Sequence, residues 1–141
     1  MDPRDFQKLA DTLSLGTGES EFRTAISRAY YATYHVGAEF YDNVGIKISK
    51  ASKGHQQVYT YSNNSGNREL EKVASQLDGL RTKRIKADYH LKKEGFENQE
   101  TVRFYVKLAD QLISAIDSLK GEEELDAIRK KVKEYKVKTN S

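Results

Sequence analysis

Residues 81–90, RTKRIKADYH, crowd Arg81, Lys83, Arg84 and Lys86 around a lone Asp88 and end in Tyr89 and His90. Two of these are the types that metal-free acid–base chemistry at a phosphodiester needs. An imidazole moves a proton near neutral pH. A guanidinium grips a phosphate through parallel hydrogen bonds and neutralises charge that develops on it. Arg84 and His90 have five residues between them. On a regular helix His90 then points about 240° around from Arg84. The two converge only if the helix ends or kinks near Tyr89, or if Arg84 of one chain meets His90 of another. Each also has a plain structural reading. Arg84 and Asp88 stand at i, i+4, the spacing of an intrahelical ion pair in which the acid would orient the base. His90 suits an exposed helix end.

Other chemistries find less support. There is no Cys, and the three His at 35, 55 and 90 lack ligand spacing, so no metal site is expected. GTG (16–18) and NNSGN (63–67) lack the Lys and the strand–helix setting of a phosphate loop, and no cofactor motif occurs.

The elements that must carry these residues are helical. Asp2, Pro3 and Asp5 suit a helix start, giving a helix from Pro3 to Leu15 that GTG ends. A second helix, Ser20 to Asp42, shows Phe22, Ala25, Ile26, Ala29, Thr33, Val36, Gly37 and Phe40 as one apolar stripe. Its other face holds Arg28, Tyr31 and His35, flanked by Ser27, Tyr34 and Ala38. That composition fits either a helix buried on both sides or a partner interface, because Tyr and Arg join packing area to a polar tip. Residues 44–54 read as a loop, His55–Tyr61 as a short helix, and SNNSGN (62–67) as a turn. A third long helix, Arg68 to Leu91, carries Leu70, Val73, Ala74, Leu77 and Leu80, and its stripe continues through Arg81, Arg84, Asp88 and Leu91. A break at 92–98 precedes a helix to Lys120, and residues 122–141 form a final amphipathic helix with acids first and bases last.

The whole chain of 141 residues reads as one all-α domain: an N-terminal helix over 1–16, a core bundle over 20–120 and the basic helix over 122–141. The net charge of +3 is modest, and acids interleave with bases over most of the length. Clustering says more. Residues 81–93 hold six Lys or Arg against one Asp, and IRKKVKEYKVK (128–138) is a second basic run. Both read as solvated helix faces or as phosphate-facing surface. No apolar run approaches the roughly 20 residues of a membrane span, and MDPRDFQKLA lacks a signal-peptide core, so a cytoplasmic protein away from membranes is expected.

RTAISRAYYATYHVGAEF (23–40), GHQQVY (54–59) and LRTKRIKADYHL (80–91) together resemble the HEPN superfamily of helical domains, in the family's order and over roughly residues 20–95. The resemblance implies an antiparallel bundle of four to five helices that dimerises through its long helices. Many members are metal-independent endoribonucleases acting as toxins or phage-defence effectors, often beside a nucleotidyltransferase-type antitoxin, within a homodimer or a larger defence complex. Their composite site uses an Arg followed by a His after four to six residues. Carried over, Arg84 would hold the scissile phosphate and His90 would be general acid or base. Asp88, Tyr89, Arg28 and Tyr31 would support them, and Arg81, Lys83, Lys86, Lys92 and Lys93 would bind the backbone of a single-stranded or tRNA-like RNA. Two positions depart from the commonest active pattern: Ile85 follows the Arg where a polar residue is usual, and Lys92 stands where a toxin subgroup has a modifiable Tyr. The alternative is a non-catalytic HEPN-like module for a partner protein, nucleotide or nucleic acid. A third option is a subunit docking through the Tyr-rich face of the second helix.

Overall fold

A computed structural model describes residues 1–140. Its six helices are α1 (Arg4–Ser14), α2 (Glu19–Asn43), α3 (Lys53–Asn63), α4 (Arg68–Tyr89), α5 (Gln99–Asp117) and α6 (Glu122–Thr139), with no strand among the described residues. The all-helical expectation holds, with six helices in place of four or five because 53–63 and 122–139 both form. No described helix is long and apolar enough to cross a membrane.

Local chemistry explains the boundaries. The Asp2 carboxylate accepts the Arg4 N–H at 2.9 Å, and the Glu21 carboxylate accepts the Gly18 N–H at the start of α2. Asn67 and Asn98 accept from Leu70 and Thr101 to cap α4 and α5. The SNNSGN turn uses Gly66 at φ +69°, a left-handed conformation that a Cβ disfavours.

Helix α2 is the axis of the molecule and touches α1, α3, α4 and α5. Its predicted stripe is buried from Phe22 to Gly37. A second stripe, Arg23, Ser27, Tyr30 and Tyr34 at i, i+4, i+7 and i+11, is buried as well. Burial on both sides holds for this stripe and not for the face read from the sequence, where Arg28 and Tyr31 are half-buried and His35 is exposed. The predicted core positions Leu70 to Leu80 of α4 and Val102, Val106, Ala109, Leu112, Ile113 and Ile116 of α5 face inward. Helix α6 buries only Ile128 and Val132, and its Arg129 Nε donates to the Val44 carbonyl at 2.6 Å.

Helix α4 ends earlier than expected. Tyr89 is its last residue and His90 its C-cap, so Leu91 leaves the apolar stripe and stands 69 % exposed. Phe96, inside the 92–98 break, does the inward packing instead and is fully buried.

Candidate functional site

The polar end of the α4 stripe packs onto the second stripe of α2. Arg84 is 7 % exposed, with its guanidinium carbon 5.2 Å from the ring centres of both Tyr30 and Tyr31. Among the described residues its one ionic partner is Asp88 at 3.6 Å, the predicted i, i+4 pair, and its buried Nε has no acceptor. Arg81, one turn earlier and half-buried, repeats the pattern with a buried, unpartnered Nε. Asp88 also accepts the Ser27 hydroxyl at 3.2 Å. Arg28 lies over Phe6 and Tyr31, 5.0 and 5.1 Å from the ring centres. Of the three guanidinium groups along this seam, Arg84 pairs with the Asp88 carboxylate, Arg28 rests on rings, and Arg81 lies near Tyr30 and His55. Buried Arg donors are ordinarily satisfied, because an unmet charged donor is costly.

His90 lies elsewhere. Its side chain is exposed at the end of α4, and no contact joins it to Arg84 within the chain. The backbone around it is held by Arg23, whose guanidinium donates to the carbonyls of Lys86, Ala87, His90, Leu91 and Lys93 at 2.9–3.2 Å. The same group pairs with Glu19 at 2.8 Å and stacks on Phe96 at 4.3 Å. A buried cation at the C-terminal carbonyls of α4 satisfies groups that a helix end leaves open and complements the dipole. Arg23 thereby holds the turn that carries His90.

The histidine beside the arginine pair is His55. The first turn of α3 brings it there, and Gly54 makes the approach possible, since a Cβ at that position would fall 2.2 Å from the Ser49 carbonyl oxygen and 2.5 Å from the Tyr34 hydroxyl. The His55 ring stacks on Tyr34 with centres 3.9 Å apart, and Nδ1 lies 2.6 Å from the Tyr30 hydroxyl. Burial pushes the Tyr30 phenol well above its ordinary range, so it stays protonated and able to donate. Desolvation, with Arg81, Arg84 and His35 nearby, lowers the His55 pKa to about 4. His55 is therefore neutral at physiological pH.

This has a measurable consequence. Between about pH 6.5, the ordinary histidine value, and about pH 4 the unfolded chain binds the proton that folded His55 refuses. Stability therefore rises with pH across that window and is lost on acidification through it. The cleft is open to water, so the contribution is on the order of 1–2 kcal/mol rather than the full shift. The melting temperature of the wild-type chain should fall from pH 6.5 to 4 more steeply than that of His55→Gln. Parallel curves would show that His55 is not held neutral.

Next to this cluster opens a cleft of about 550 Å³ between α1, α2 and the segment entering α3. Phe6, Tyr31, Tyr34, His35 and His55 line it, with Glu39 and Asp42 along one side. The His35 ring lies 5.0–6.3 Å from those of Tyr34, Tyr31 and Phe6, and desolvation lowers its pKa too. Tyr31 and His55 belong both to the cleft and to the arginine seam.

The residues expected to act together thus separate into groups. Arg28, Tyr31, Arg81, Arg84 and Asp88 meet at the seam. Tyr89 and His90 are exposed at the helix end, with Lys92 and Lys93 also exposed. Lys83 lies over Phe96 and Tyr105 at 4.8 and 5.3 Å, where desolvation and the neighbouring Lys86 and Lys93 lower its pKa. Tyr30 and Arg23 received no role from the sequence, and Tyr34 only a place flanking the Arg28–Tyr31–His35 face. The i, i+4, i+7, i+11 register that they share with Ser27 was the available signal, masked because the residues are polar or amphipathic. Among the described residues, no group of three His, Asp or Glu is placed to hold a metal.

Comparison with known proteins yields no match: no family model, no curated protein and no solved structure matches the chain.

Proposed function

We propose that this chain is a HEPN-like binding module that holds a phosphate-bearing ligand, RNA or a nucleotide, at the α2–α4 seam. One observation carries the reading: Arg84 is buried with an unmet Nε and pairs with the single carboxylate of Asp88, and the half-buried Arg81 one turn earlier also has an unmet Nε. A phosphate at the seam would supply the missing negative charge. The SRAYYA and ADY resemblance supports it, since Tyr30, Tyr31 and Asp88 of those motifs are the groups framing the arginines.

A second reading is the metal-independent endoribonuclease, a toxin or defence effector in which Arg84 of one copy works with His90 of another. Tyr89 and Leu91, 73 % and 69 % exposed, flank His90 and favour it. A second copy docking there would bury apolar area and carry the imidazole with it.

Both are tested with purified protein and a fluorescent ten-nucleotide RNA in EDTA. The module reading expects saturable, salt-sensitive binding, intact RNA, and affinity reduced at least about tenfold, the scale of one charge-assisted contact, in the half-exposed Arg81→Gln variant. Cleavage that His90→Ala abolishes without moving the melting temperature would establish the nuclease instead. Absence of binding up to millimolar protein would overturn the module.

A further inference from the structure

The cleft between α1, α2 and the segment entering α3 has the volume of a small-molecule site, about 550 Å³. Phe6, Tyr34 and His35 are among the rings that line it. Burial keeps His35 and His55 neutral at physiological pH, so neither imidazole brings positive charge to the walls. Glu39 and Asp42, both exposed, line another side about one helical turn apart. They stand at the C-terminal end of α2, whose last turn has no base. That is the reverse of what a helix dipole favours, since the terminal carbonyls are already partly negative. Asp42 accepts the Ile48 N–H at 3.2 Å, but among the described residues no ion pair answers either acid. Lys50 shares the exposed rim and pairs with neither. Phe6 and Tyr31 already accept one cation, the Arg28 guanidinium. Open negative charge beside aromatic walls suits a ligand with a positive nitrogen. The carboxylates attract the charge, and ring faces attract it too while covering the methyl or methylene groups around it.

We propose that the α1–α2–α3 cleft binds an alkylammonium ligand, with the positive nitrogen beside Glu39 and Asp42 and the hydrocarbon against the rings. The site is distinct from the arginine seam and does not depend on the phosphate reading. A quaternary headgroup and a primary diamine share this chemistry. The first relies more on the rings, the second more on the carboxylates.

NMR titration of the full chain with choline, putrescine and neohexanol, the uncharged carbon isostere of choline, reads the charge requirement directly. Choline is expected to bind at least about fivefold more tightly than neohexanol, the scale of a cation–π contact, with amide shifts centred on Glu39, Asp42 and Ser52. Glu39→Gln combined with Asp42→Asn should erase that advantage. Both positions are exposed, and an amide oxygen at 42 can still accept the Ile48 N–H, so the fold is kept. Phe6→Leu should weaken choline binding as well, through loss of a ring. Tighter binding of choline than of putrescine marks a quaternary headgroup as the ligand, and the reverse order marks a primary diamine. Arg81→Gln should weaken RNA binding and not that of either cation, so this inference and the phosphate reading fail separately. Equal binding of choline and neohexanol would reveal an apolar pocket without charge selection and overturn the inference. Undiminished choline affinity in either folded cleft variant would overturn it too, as would no saturation by either cation up to about 10 mM.

Discussion

Arg23→Met should lower the stability of the chain by about 3 kcal/mol, roughly a 10 °C drop in melting temperature for a domain of this size. The guanidinium of Arg23 serves five backbone carbonyls between Lys86 and Lys93, and its plane covers Phe96. Met replaces much of the volume over Phe96 but none of the donors. The carbonyls of Ala87 and its neighbours must then find water in a partly closed space or lose their partners. Glu19, half-exposed, is solvated once released, so the ion pair itself adds little. Arg23→Lys should recover only part of the loss, because a point charge cannot span acceptors that a planar fork reaches together. Thermal melts of the three proteins check this. Faster amide exchange at His90 and Lys93 in Arg23→Met would locate the damage. A melting temperature within about 2 °C of wild type would mean that the α4 end closes without the clamp.

Arg84→Met should do the opposite: stability unchanged or raised by up to about 1 kcal/mol, with affinity for the phosphate-bearing probe cut by a factor of ten to about a hundred. Arg84 makes no hydrogen bond among the described residues and reaches Asp88 only at 3.6 Å, so it bears a desolvation cost that little in the chain offsets. A Met side chain keeps the contacts with Tyr30 and Tyr31 and removes the charge. Asp88 retains the Ser27 hydroxyl and some water. Melting curves and AMP titrations on the same samples decide it. If Arg84→Met melts several degrees lower, Arg84 is a structural strut. If binding persists unchanged, the phosphate does not use it. The contrast between two buried arginines of one chain is informative: Arg23 is saturated with acceptors and Arg84 is not.

Helical periodicity alone determined most of the architecture. The apolar stripes of α2, α4 and α5 and the breaks at 16–18, 62–67 and 92–98 were legible, because burial of one helix face imposes a 3.6-residue period on the residues that make it. The pairing of Arg84 with Asp88 was legible for the same reason, being local to one helix. What the period could not reveal was the partner across the core. The carbonyls that Arg23 serves lie more than 60 residues away in sequence, and His55 lies 25 residues from Tyr30. Nothing in the spacing of RTKRIKADYH says that α4 stops at Tyr89, that Arg23 then pins the turn, or that Phe96 replaces Leu91 in the core. Those choices depend on which carbonyls and rings meet once α2 and α4 pack. The sequence determined that Arg84 faces inward. Only the tertiary structure decided that the imidazole near it is His55 and that His90 remains outside.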